Sequence, residues 1–389
     1  MARREVIGIG DDQTNSEVAD FTAGIGQIPD KTGHARQVDS SAGIDDEIEE
    51  SHLRPRRLDE FVGQTELKEH LSILLQAAKG RGEPTDHILF AGPPGLGKTS
   101  LAGIVAHEMG AGFRVTSGPN LARSGDLAAI VCDLEDGDVL FIDEIHRMPK
   151  QVEEVLYPAM EDFKIDILLG KGPAAKSVRL DLPRFTLVGA TTRTGMVTGP
   201  LRDRFGFVAR LDFYESGELE EIVVRAARIF SVHLDQQAAS EIARRSRGTP
   251  RIANRLLRRV RDFAQVRGSG EVDLASALEG LKLFGIDDLG LDKVDRSILT
   301  AMCVGFGGRA VGLSTLAIAV GEEPETVEDA YEPYLLRQGL LIRTPRGRVP
   351  GPSAWSHLGI SAGPGAVTPE VALADQDSSQ VALFSWQNS

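Results

Sequence analysis

Up to about residue 214, short uninterrupted apolar runs alternate with patterns typical of amphipathic helices. Helices are predicted at 98–109 and 151–162, and the runs have the length and composition of buried parallel strands. These runs are Ile88–Ala91, 139–142 and 185–189. Strands and helices that alternate in this way predict the α/β class, with a parallel sheet covered by helices on both faces.

The pattern changes after residue 214. Residues 215–286 are predicted to be all helical, and an apolar stripe at i/i+4 spacing includes Ile252, Leu256 and Val260. Residues 288–350 hold three helical patterns, then two short extended segments joined by a Pro345-Arg346-Gly347 turn. Three helices followed by a hairpin predict a winged-helix domain.

Residues 164–182 alternate polar and apolar positions at period two around a Gly-Lys-Gly-Pro turn, which predicts a protruding β-hairpin. In this alternation Val178 and Leu180 share one face. That face either packs on the α/β domain or docks a partner, and the pattern alone leaves both open.

The two ends of the chain differ from the middle in composition. Residues 1–50 hold 4 basic and 12 acidic residues without periodicity, which predicts a disordered leader. Residues 361–389 hold no basic and 3 acidic residues and are predicted to form a disordered tail. Between them we predict three domains, at 51–214, 215–286 and 287–360.

The net charge of -14 argues against nucleic acid as a partner, but the distribution of charge changes this conclusion. Residues 51–360 hold 39 basic and 42 acidic residues, a net of -3, so nucleic acid remains possible. Two cysteines exclude a disulfide framework and a Cys-based zinc site. The sequence shows neither a signal peptide nor an apolar segment suited to a bilayer, which predicts a cytoplasmic protein without membrane contact.

Residues 92–99 (Gly-Pro-Pro-Gly-Leu-Gly-Lys-Thr) fit the P-loop pattern, after a predicted strand and before a predicted helix. In such a loop backbone N–H groups wrap the phosphates, Lys98 reaches the β- and γ-phosphates, and Thr99 ligates Mg²⁺. The alternative, a glycine-rich turn, is disfavoured by the strand and helix on either side. We therefore predict a site for ATP and Mg²⁺.

An apolar strand delivers two carboxylates, Asp143 and Glu144, at its C-terminal end. After a P-loop, such a pair suits ATP hydrolysis: Asp143 holds Mg²⁺ and Glu144 polarises the attacking water. Taken alone, an Asp-Glu pair at a strand end is more often the start of a solvated loop.

Three further polar groups are candidates for the same site. Gly189-Ala190-Thr191-Thr192 offers hydroxyls that either sense the γ-phosphate or cap a turn. Arg202 or Arg204 could stabilise transition-state charge in a neighbouring subunit, or both could belong to a surface cluster. Arg251 falls in the first turn of a predicted helix, where anions are favoured.

These motifs together resemble those of the AAA+ ATPases, and longer strings resemble the RuvB family of bacterial motors. The strings are Leu53-Arg54-Pro55, 92–99, 142–147, 156–163, 248–259, 332–336 and 343–348. The resemblance covers about 51–360. Two departures lie within it: Ser100 replaces a second Thr found in many relatives, and residues 307–310 replace an expected Gly-Pro ending.

The resemblance implies a P-loop AAA+ domain, an all-helical lid and a C-terminal winged-helix head. It implies a homohexameric ring that hydrolyses ATP to drive DNA through Holliday junctions, in recombination, DNA repair and the SOS response. RuvA is the implied junction-binding partner, and the resolvase RuvC is a further one.

Individual site residues carry over from the family. The implied trans arginine finger is Arg204 rather than Arg202, the implied sensor is Thr192, and RuvA docking is implied on the face of Val178 and Leu180. The implied nucleotide contacts are Leu53, Arg54, Gly95, Gly97, Lys98, Thr99, Ser100, Glu161, Asp162, Phe163, Tyr214 and Arg251.

Three arginines, Arg343, Arg346 and Arg348, flank the turn of the predicted wing, so that all three can point to one phosphate backbone. The alternative is a solvated charged turn. An arginine-rich wing favours a DNA motor over two other AAA+ classes. These are a clamp loader acting on a DNA-bound protein, and an unfoldase, for which the sequence shows no aromatic pore loop.

The tail contains Gln380-Val381-Ala382-Leu383-Phe384, which resembles the peptide that docks bacterial proteins on the sliding clamp. Leu383 and Phe384 would be the apolar anchors and Gln380 would set the register. Alternatively, these apolar side chains cover a patch on the protein's own third domain.

Overall fold

The structure of the chain, a computed structural model, describes residues 52–169 and 176–361. The predictions for the leader, for the tail with its Gln380, Leu383 and Phe384, and for the Gly-Lys-Gly-Pro turn lie outside the described residues. The strands are Ile88–Ala91 (β1), Phe113–Ser117 (β2), Val139–Asp143 (β3), Lys164–Leu169 (β4), Lys176–Asp181 (β5), Thr186–Thr191 (β6), Phe207–Arg210 (β7), Leu341–Thr344 (β8) and Gly347–Pro350 (β9).

One sheet has the strand order β2-β3-β6-β1-β7, and each neighbouring pair in it is parallel. The predicted parallel sheet is confirmed. Ala91 pairs with Thr191 and Ile142 pairs with Gly189, so β1, β3 and β6 end at the same edge. Because ligands of open α/β sheets bind beyond the carboxyl ends of the strands, this edge is where a site is expected.

Helices cover both faces of this sheet, as the α/β prediction requires. Ile88 and Phe90 of β1 pack on one face with α1 and α2, and Leu89 packs on the other with α3 and α4. This follows from the alternation of side chains along a strand. The helices of this part are Thr65–Arg81 (α1), Lys98–Met109 (α2), Ser124–Cys132 (α3), Lys150–Glu161 (α4) and Gly199–Arg202 (α5).

The predicted hairpin is confirmed as an antiparallel pair of β4 and β5, separate from the main sheet. Leu180 pairs with Ile165, and an ion pair joins Arg179 and Asp166 at 2.9 Å across the two strands. Leu182 donates its backbone N–H to the Phe163 carbonyl at 2.7 Å, which holds the base of the hairpin to the end of α4.

The next part is all helical, as predicted, and we call it the lid. Leu256 and Val260 of the predicted stripe are buried, and Ile252 lies at the rim of the core. The buried side chains of the lid belong to the same hydrophobic cluster as Ile88 and Phe90 of the sheet. The helices of the lid are Ser216–Ile229 (α6), Gln236–Arg244 (α7), Pro250–Arg267 (α8) and Leu274–Leu283 (α9).

The third part forms the predicted winged helix around a hydrophobic cluster of its own, which includes Tyr331 and Leu335. Strands β8 and β9 form the wing, and Arg343 pairs with Arg348 across it. The helices are Lys293–Thr300 (α10), Leu313–Val320 (α11), Pro324–Thr326 (α12), Glu332–Arg337 (α13) and Pro352–Leu358 (α14), with π-helical turns at Ala301–Gly305 and Val327–Tyr331. Helix α14 was not predicted. No helix among the described residues has the length and apolar composition needed to cross a membrane.

Candidate nucleotide-binding and catalytic site

The P-loop runs from the end of β1 to the start of α2 and uses glycine where no other residue fits. Gly92 and Gly95 have φ of +147° and +78°, and a Cβ on Gly95 would lie 2.8 Å from Cγ2 of Thr249. The loop therefore lies directly against the start of α8, where the Arg251 N–H donates to the Gly95 carbonyl at 3.3 Å. Its other end delivers the N-terminus of α2, a natural anion site.

Lys98, the first residue of α2, is buried beneath this loop. Its ammonium donates to the carbonyls of Gly92 at 2.7 Å and Pro93 at 2.8 Å. Burial lowers the pKa of Lys98 to about 8, although the nearby Asp143 carboxylate works in the opposite direction. A phosphate placed beside this ammonium would compensate for the lost hydration, so the group is suited to bind an anion.

The two carboxylates at the end of β3 lie in different environments. The Asp143 carboxylate accepts the Glu144 backbone N–H at 2.8 Å, which fixes it at the strand end. Glu144 has a φ of +46°, a left-handed conformation that costs a residue with a side chain about 1–3 kcal/mol. The Glu144 carboxylate accepts a hydrogen bond from Arg147 at 3.0 Å and is partly exposed. Glu144 is thus held by strained backbone on one side and by an arginine on the other.

The two threonines at the end of β6 also differ. Thr191 is fully buried, and its hydroxyl is hydrogen-bonded to Nδ1 of His146 at 3.0 Å. The same hydroxyl accepts the Arg193 backbone N–H at 3.0 Å. Thr192 instead lines the cavity described next. Thr191 is therefore a link to the turn after Glu144, and of the two threonines Thr192 is the one in the cavity lining.

A cavity of about 200 Å³ lies between the strand ends, the P-loop and the lid. Tyr214 joins two of these walls, because its hydroxyl donates to the Leu96 carbonyl at 3.1 Å and its N–H donates to the Gly248 carbonyl at 2.9 Å. Twelve of the predicted site residues line the cavity: Leu53, Arg54, Gly95, Gly97, Lys98, Thr99, Ser100, Asp143, Glu144, Thr192, Tyr214 and Arg251.

Several other residues that line the cavity were not identified from the sequence. Phe61 lies against the P-loop, since a Cβ on Gly97 would meet its ring at 3.1 Å. Arg225, on α6, donates to the Leu53 carbonyl at 3.0 Å. Ile222 and Asn254 line the cavity from the lid. These positions carry no motif spacing, and only the tertiary fold brings them to the site.

Four of the predicted nucleotide-site residues do not line this cavity: Glu161, Asp162, Phe163 and Arg204. Nε of Arg204 lies 3.0 Å from a carboxylate oxygen of Glu161, and its guanidinium lies 4.2 Å from the centre of the Tyr157 ring. Phe163 packs edge-on against Phe185. We call Glu161, Asp162, Phe163 and Arg204 the arginine group. Within one chain, the structure does not bring the arginine group to the nucleotide cavity.

The wing arginines do not all point outwards, contrary to the expectation from the sequence. Arg346 is exposed at the turn. Arg343 donates to Glu332 at 2.6 Å, and Arg348 donates to both oxygens of the same carboxylate at 3.1 Å. Burial alone would raise the pKa of Glu332, but the hydrogen bonds from these two arginines lower it overall. Glu332, on α13, therefore holds two of the three arginines by a charged contact that the local sequence pattern does not show.

The predicted docking face of the hairpin is open. Val178 and Leu180 are 36% and 38% exposed, so part of each apolar side chain is accessible to a partner. Ile165, which pairs with Leu180 and shares its face, is buried in the core of the α/β domain, so the base of this face packs on that domain. Docking of a partner on Val178 and Leu180 stays a prediction. Among the described residues, no cluster of three or more His, Cys, Asp or Glu forms a protein-only metal site.

Three stretches of the chain match known families. Residues 53–211 match the Holliday junction DNA helicase RuvB P-loop domain. Residues 214–287 match the RuvB AAA lid domain, and residues 288–359 match the RuvB C-terminal winged helix domain.

Similar proteins extend over most of the chain. The Holliday junction branch migration complex subunit RuvB of Rubrobacter xylanophilus is 59% identical over 349 residues, which cover 88% of this chain and 98% of that protein. The protein of the same name from Thermobifida fusca is 58% identical over 345 residues, with the same coverage of 88% and 98%. The solved structure of the Thermotoga maritima RuvB Holliday junction branch migration motor is 50% identical, with a TM-score of 0.73 over 80% of this chain and 99% of that chain.

Proposed function

Since the chain belongs to the RuvB family, a family of P-loop AAA+ ATPases, we propose that it is an ATP-dependent DNA translocase that drives branch migration at Holliday junctions. One observation carries the catalytic part of this proposal. Lys98, Asp143, Glu144, Thr192 and Arg251 come from four separate segments and line a single cavity at the strand ends. Family membership favours this function over a clamp loader or an unfoldase.

The cavity suits a purine nucleoside triphosphate. Its walls include apolar side chains that can hold a base, and Lys98 with the N-terminus of α2 can hold the phosphates. Arg251 contacts the P-loop through its backbone and lines the cavity, so the lid can respond to the γ-phosphate. We propose nine of the predicted residues in this lining as the nucleotide contacts made within one chain: Leu53, Arg54, Gly95, Gly97, Lys98, Thr99, Ser100, Tyr214 and Arg251.

Thr99 and Asp143 fit a Mg²⁺ site. A protein-bound Mg²⁺ typically has only one or two protein oxygens, and the triphosphate and water supply its other ligands. One hydroxyl and one carboxylate in the same cavity meet this requirement. When bound there, the ion neutralises charge on the phosphates.

Glu144 is proposed to orient the attacking water. Its carboxylate must move away from Arg147 to do so, and its 40% exposed side chain leaves room for that movement. Thr192 lies at the same strand edge and can hydrogen-bond the water or the γ-phosphate. In the described structure the Glu144 carboxylate is instead paired with Arg147 at 3.0 Å.

The arginine group is proposed to complete the cavity of a neighbouring subunit in a homohexameric ring. Arg204 follows α5 and Glu161 ends α4, and the two side chains lie together away from their own cavity, which is what a contribution in trans requires. Arg204 would stabilise negative charge on the phosphates during transfer.

Two surfaces are proposed for partners of this motor. RuvA docks on the hairpin through Val178 and Leu180, which are exposed and adjacent. Duplex DNA runs past the wing, where Arg346 is free of the carboxylates that hold Arg343 and Arg348. RuvC is proposed as a further partner from the family resemblance.

The test of the function is a branch-migration assay on a synthetic four-way junction with RuvA, run beside ATP hydrolysis with and without duplex DNA. We expect strand exchange that needs ATP and stops in Lys98→Ala, which should still bind the junction. ATP hydrolysis that ignores DNA, with no movement of the junction, would contradict the proposal.

The DNA surface is tested separately by the salt dependence of binding. Arg346→Ala should weaken binding of all duplex sequences alike and lower the slope of log K against log salt by about 0.9. Arg309→Ala, an exposed arginine of the same domain outside the wing, is the matched control. A loss that depends on DNA sequence would contradict a phosphate-only contact.

A further inference from the structure

The side chain of Arg193 extends from the ATPase domain and contacts the winged-helix domain. Its Nε donates to the Asp329 carboxylate at 3.0 Å, and its Nη2 lies 2.8 Å from Asp329 and 3.0 Å from Glu328. Both carboxylates belong to the π-helical turn Val327–Tyr331. The guanidinium is 25% exposed, so this contact between domains is partly shielded from solvent.

The backbone of Arg193 is hydrogen-bonded at the catalytic edge, the edge of the sheet where β3 and β6 end. Its N–H donates to the hydroxyl of Thr191, which is bonded to His146 in the turn that follows Asp143 and Glu144. Arg193 also follows Thr192 directly in sequence. A change in the position of Arg193 therefore affects β6, which we call the sensor strand, through Thr191. It also affects Ile145–Arg147, which we call the catalytic turn, through His146.

Glu328 contacts Arg193 through one carboxylate oxygen and the wing through the other. Oε2 faces Arg193, while Oε1 lies 3.5 Å from a terminal nitrogen of Arg343 and 3.5 Å from one of Arg348. Glu332, one turn later, holds the same two wing arginines. One carboxylate is thus shared between the catalytic edge and the proposed DNA surface.

A cleft of about 350 Å³ separates the two domains at this point. Glu144, Arg147 and Arg193 line it from the ATPase domain, and Glu325 and Asp329 line it from the winged-helix domain. The ion pair between Glu144 and Arg147 therefore faces the winged-helix domain.

We propose that Arg193 is a positioning residue for ATP hydrolysis, and that Glu328 couples it to DNA at the wing. The proposal rests on the proposed DNA surface. A DNA phosphate that binds Arg343 and Arg348 draws them away from Glu328, so that Glu328 interacts mainly with Arg193. The phosphate also neutralises the positive charge of the two wing arginines, which otherwise repels Arg193. DNA at the wing then strengthens the contact that holds the sensor strand and the catalytic turn in place. By reciprocity, strengthening this contact favours DNA binding at the wing.

The test is the ratio of kcat at saturating duplex DNA to kcat without DNA, measured in assembled wild type and in Glu328→Gln. The substitution keeps the shape of the side chain and removes its charge. We expect the ratio to fall by a factor of about five or more, in the range of ordinary coupling between two sites. Basal kcat should stay near wild type, and DNA should still bind.

Three further variants make the result specific. Arg193→Gln should lower the ratio. The double variant should resemble Arg193→Gln alone, because that change already removes the contact with Glu328 as well as the one with Asp329. Glu328→Asp, which keeps the charge, should retain part of the ratio. Glu323→Gln, an exposed carboxylate just before α12, is the matched control and should leave it unchanged.

Each outcome has a distinct meaning. A wild-type ratio in Glu328→Gln overturns the coupling while leaving the DNA surface in place. Equal loss of basal and DNA-stimulated kcat shows a merely structural role and also overturns it. If wild type shows no stimulation and Arg346→Ala leaves the salt slope unchanged, the proposed DNA surface fails, and the coupling fails with it.

Discussion

The nucleotide cavity and the arginine group are two unequal parts of what we propose to be one composite site. In the cavity, Lys98 is buried and held by two backbone carbonyls, and Tyr214 joins the P-loop to the lid. In the arginine group, Arg204 is held by a cation–π contact, by an exposed hydrogen bond to the Pro200 carbonyl at 2.6 Å and by Glu161, whose side chain is 53% exposed. Contacts of the second kind contribute only about 0.2–1 kcal/mol each. The cavity is preorganised, whereas Arg204 can change partners at little cost.

The largest expected effect tests whether the arginine group acts in trans. Arg204→Ala should bind ATP and lose hydrolysis by roughly 10³–10⁵, the usual contribution of an arginine finger. Mixing it with Lys98→Ala should restore some turnover, because the intact cavity of one subunit meets the intact arginine of the other. Mixing with a Lys98→Ala/Arg204→Ala chain should restore none. Mixed rings that stay inactive would assign Arg204 to its own chain and break the comparison.

The next effect tests the cavity alone. Glu144→Gln should keep ATP affinity, because Lys98 and Asp143 remain, and should lower hydrolysis by roughly 10²–10⁴, the usual contribution of acid–base help. Single-turnover hydrolysis and nucleotide titration measure the two quantities. Glu154→Gln, an exposed carboxylate on α4, is the control. Turnover close to wild type in Glu144→Gln would remove Glu144 from its proposed role.

The hairpin extends from the arginine group, since β4 begins at Lys164, directly after Phe163. Val178→Asp with Leu180→Asp should weaken RuvA binding by about thirtyfold or more, as expected for apolar anchors worth about 2 kcal/mol. Nucleotide titration should show an unchanged cavity. Arg179→Ala, on the opposite face of β5, should change RuvA affinity little. A variant that loses its fold would instead show that this face supports the domain.

The smallest effect concerns the buried ammonium of the cavity. The pKa of Lys98 is about 8 in the free protein, and bound phosphate raises it. The charged form favours binding, so affinity should be full below pH 8 and fall by about tenfold at pH 9. Titration calorimetry from pH 7 to 9.5 measures this. Lys98→Arg keeps its charge over this range and should show a flat profile; a flat wild-type profile would contradict the low pKa.

Sequence patterns were sufficient where chemistry sits at the ends of adjacent strands. The P-loop, the Asp143-Glu144 pair and Thr192 each follow a strand with a clear apolar pattern, and a parallel sheet brings such ends to one edge. The sequence could not assign Phe61 and Arg225, because their proximity to the cavity arises from long-range contacts.

The wing shows the same limit in another form. Its turn and its strands followed from local pattern, but the direction of Arg343 and Arg348 did not. Their partners, Glu328 and Glu332, lie in the π-helical turn Val327–Tyr331 and at the start of α13. Ion pairing of this kind depends on how these segments pack against the wing. The sequence pattern did not predict helix α14, because its segment is short and rich in Pro, Gly and Ser.

The hydrophobic cluster that joins the sheet to the lid also determines which parts of the chain unfold together. Phe90 of the sheet and Leu257 of the lid belong to this one cluster, so both parts should melt as a single cooperative unit. The winged-helix domain, with its own cluster around Leu335, can melt alone. Nucleotide stabilises only the unit that binds it. Under heat stress, the capacity to hydrolyse ATP and the grip on DNA can therefore be lost at different temperatures.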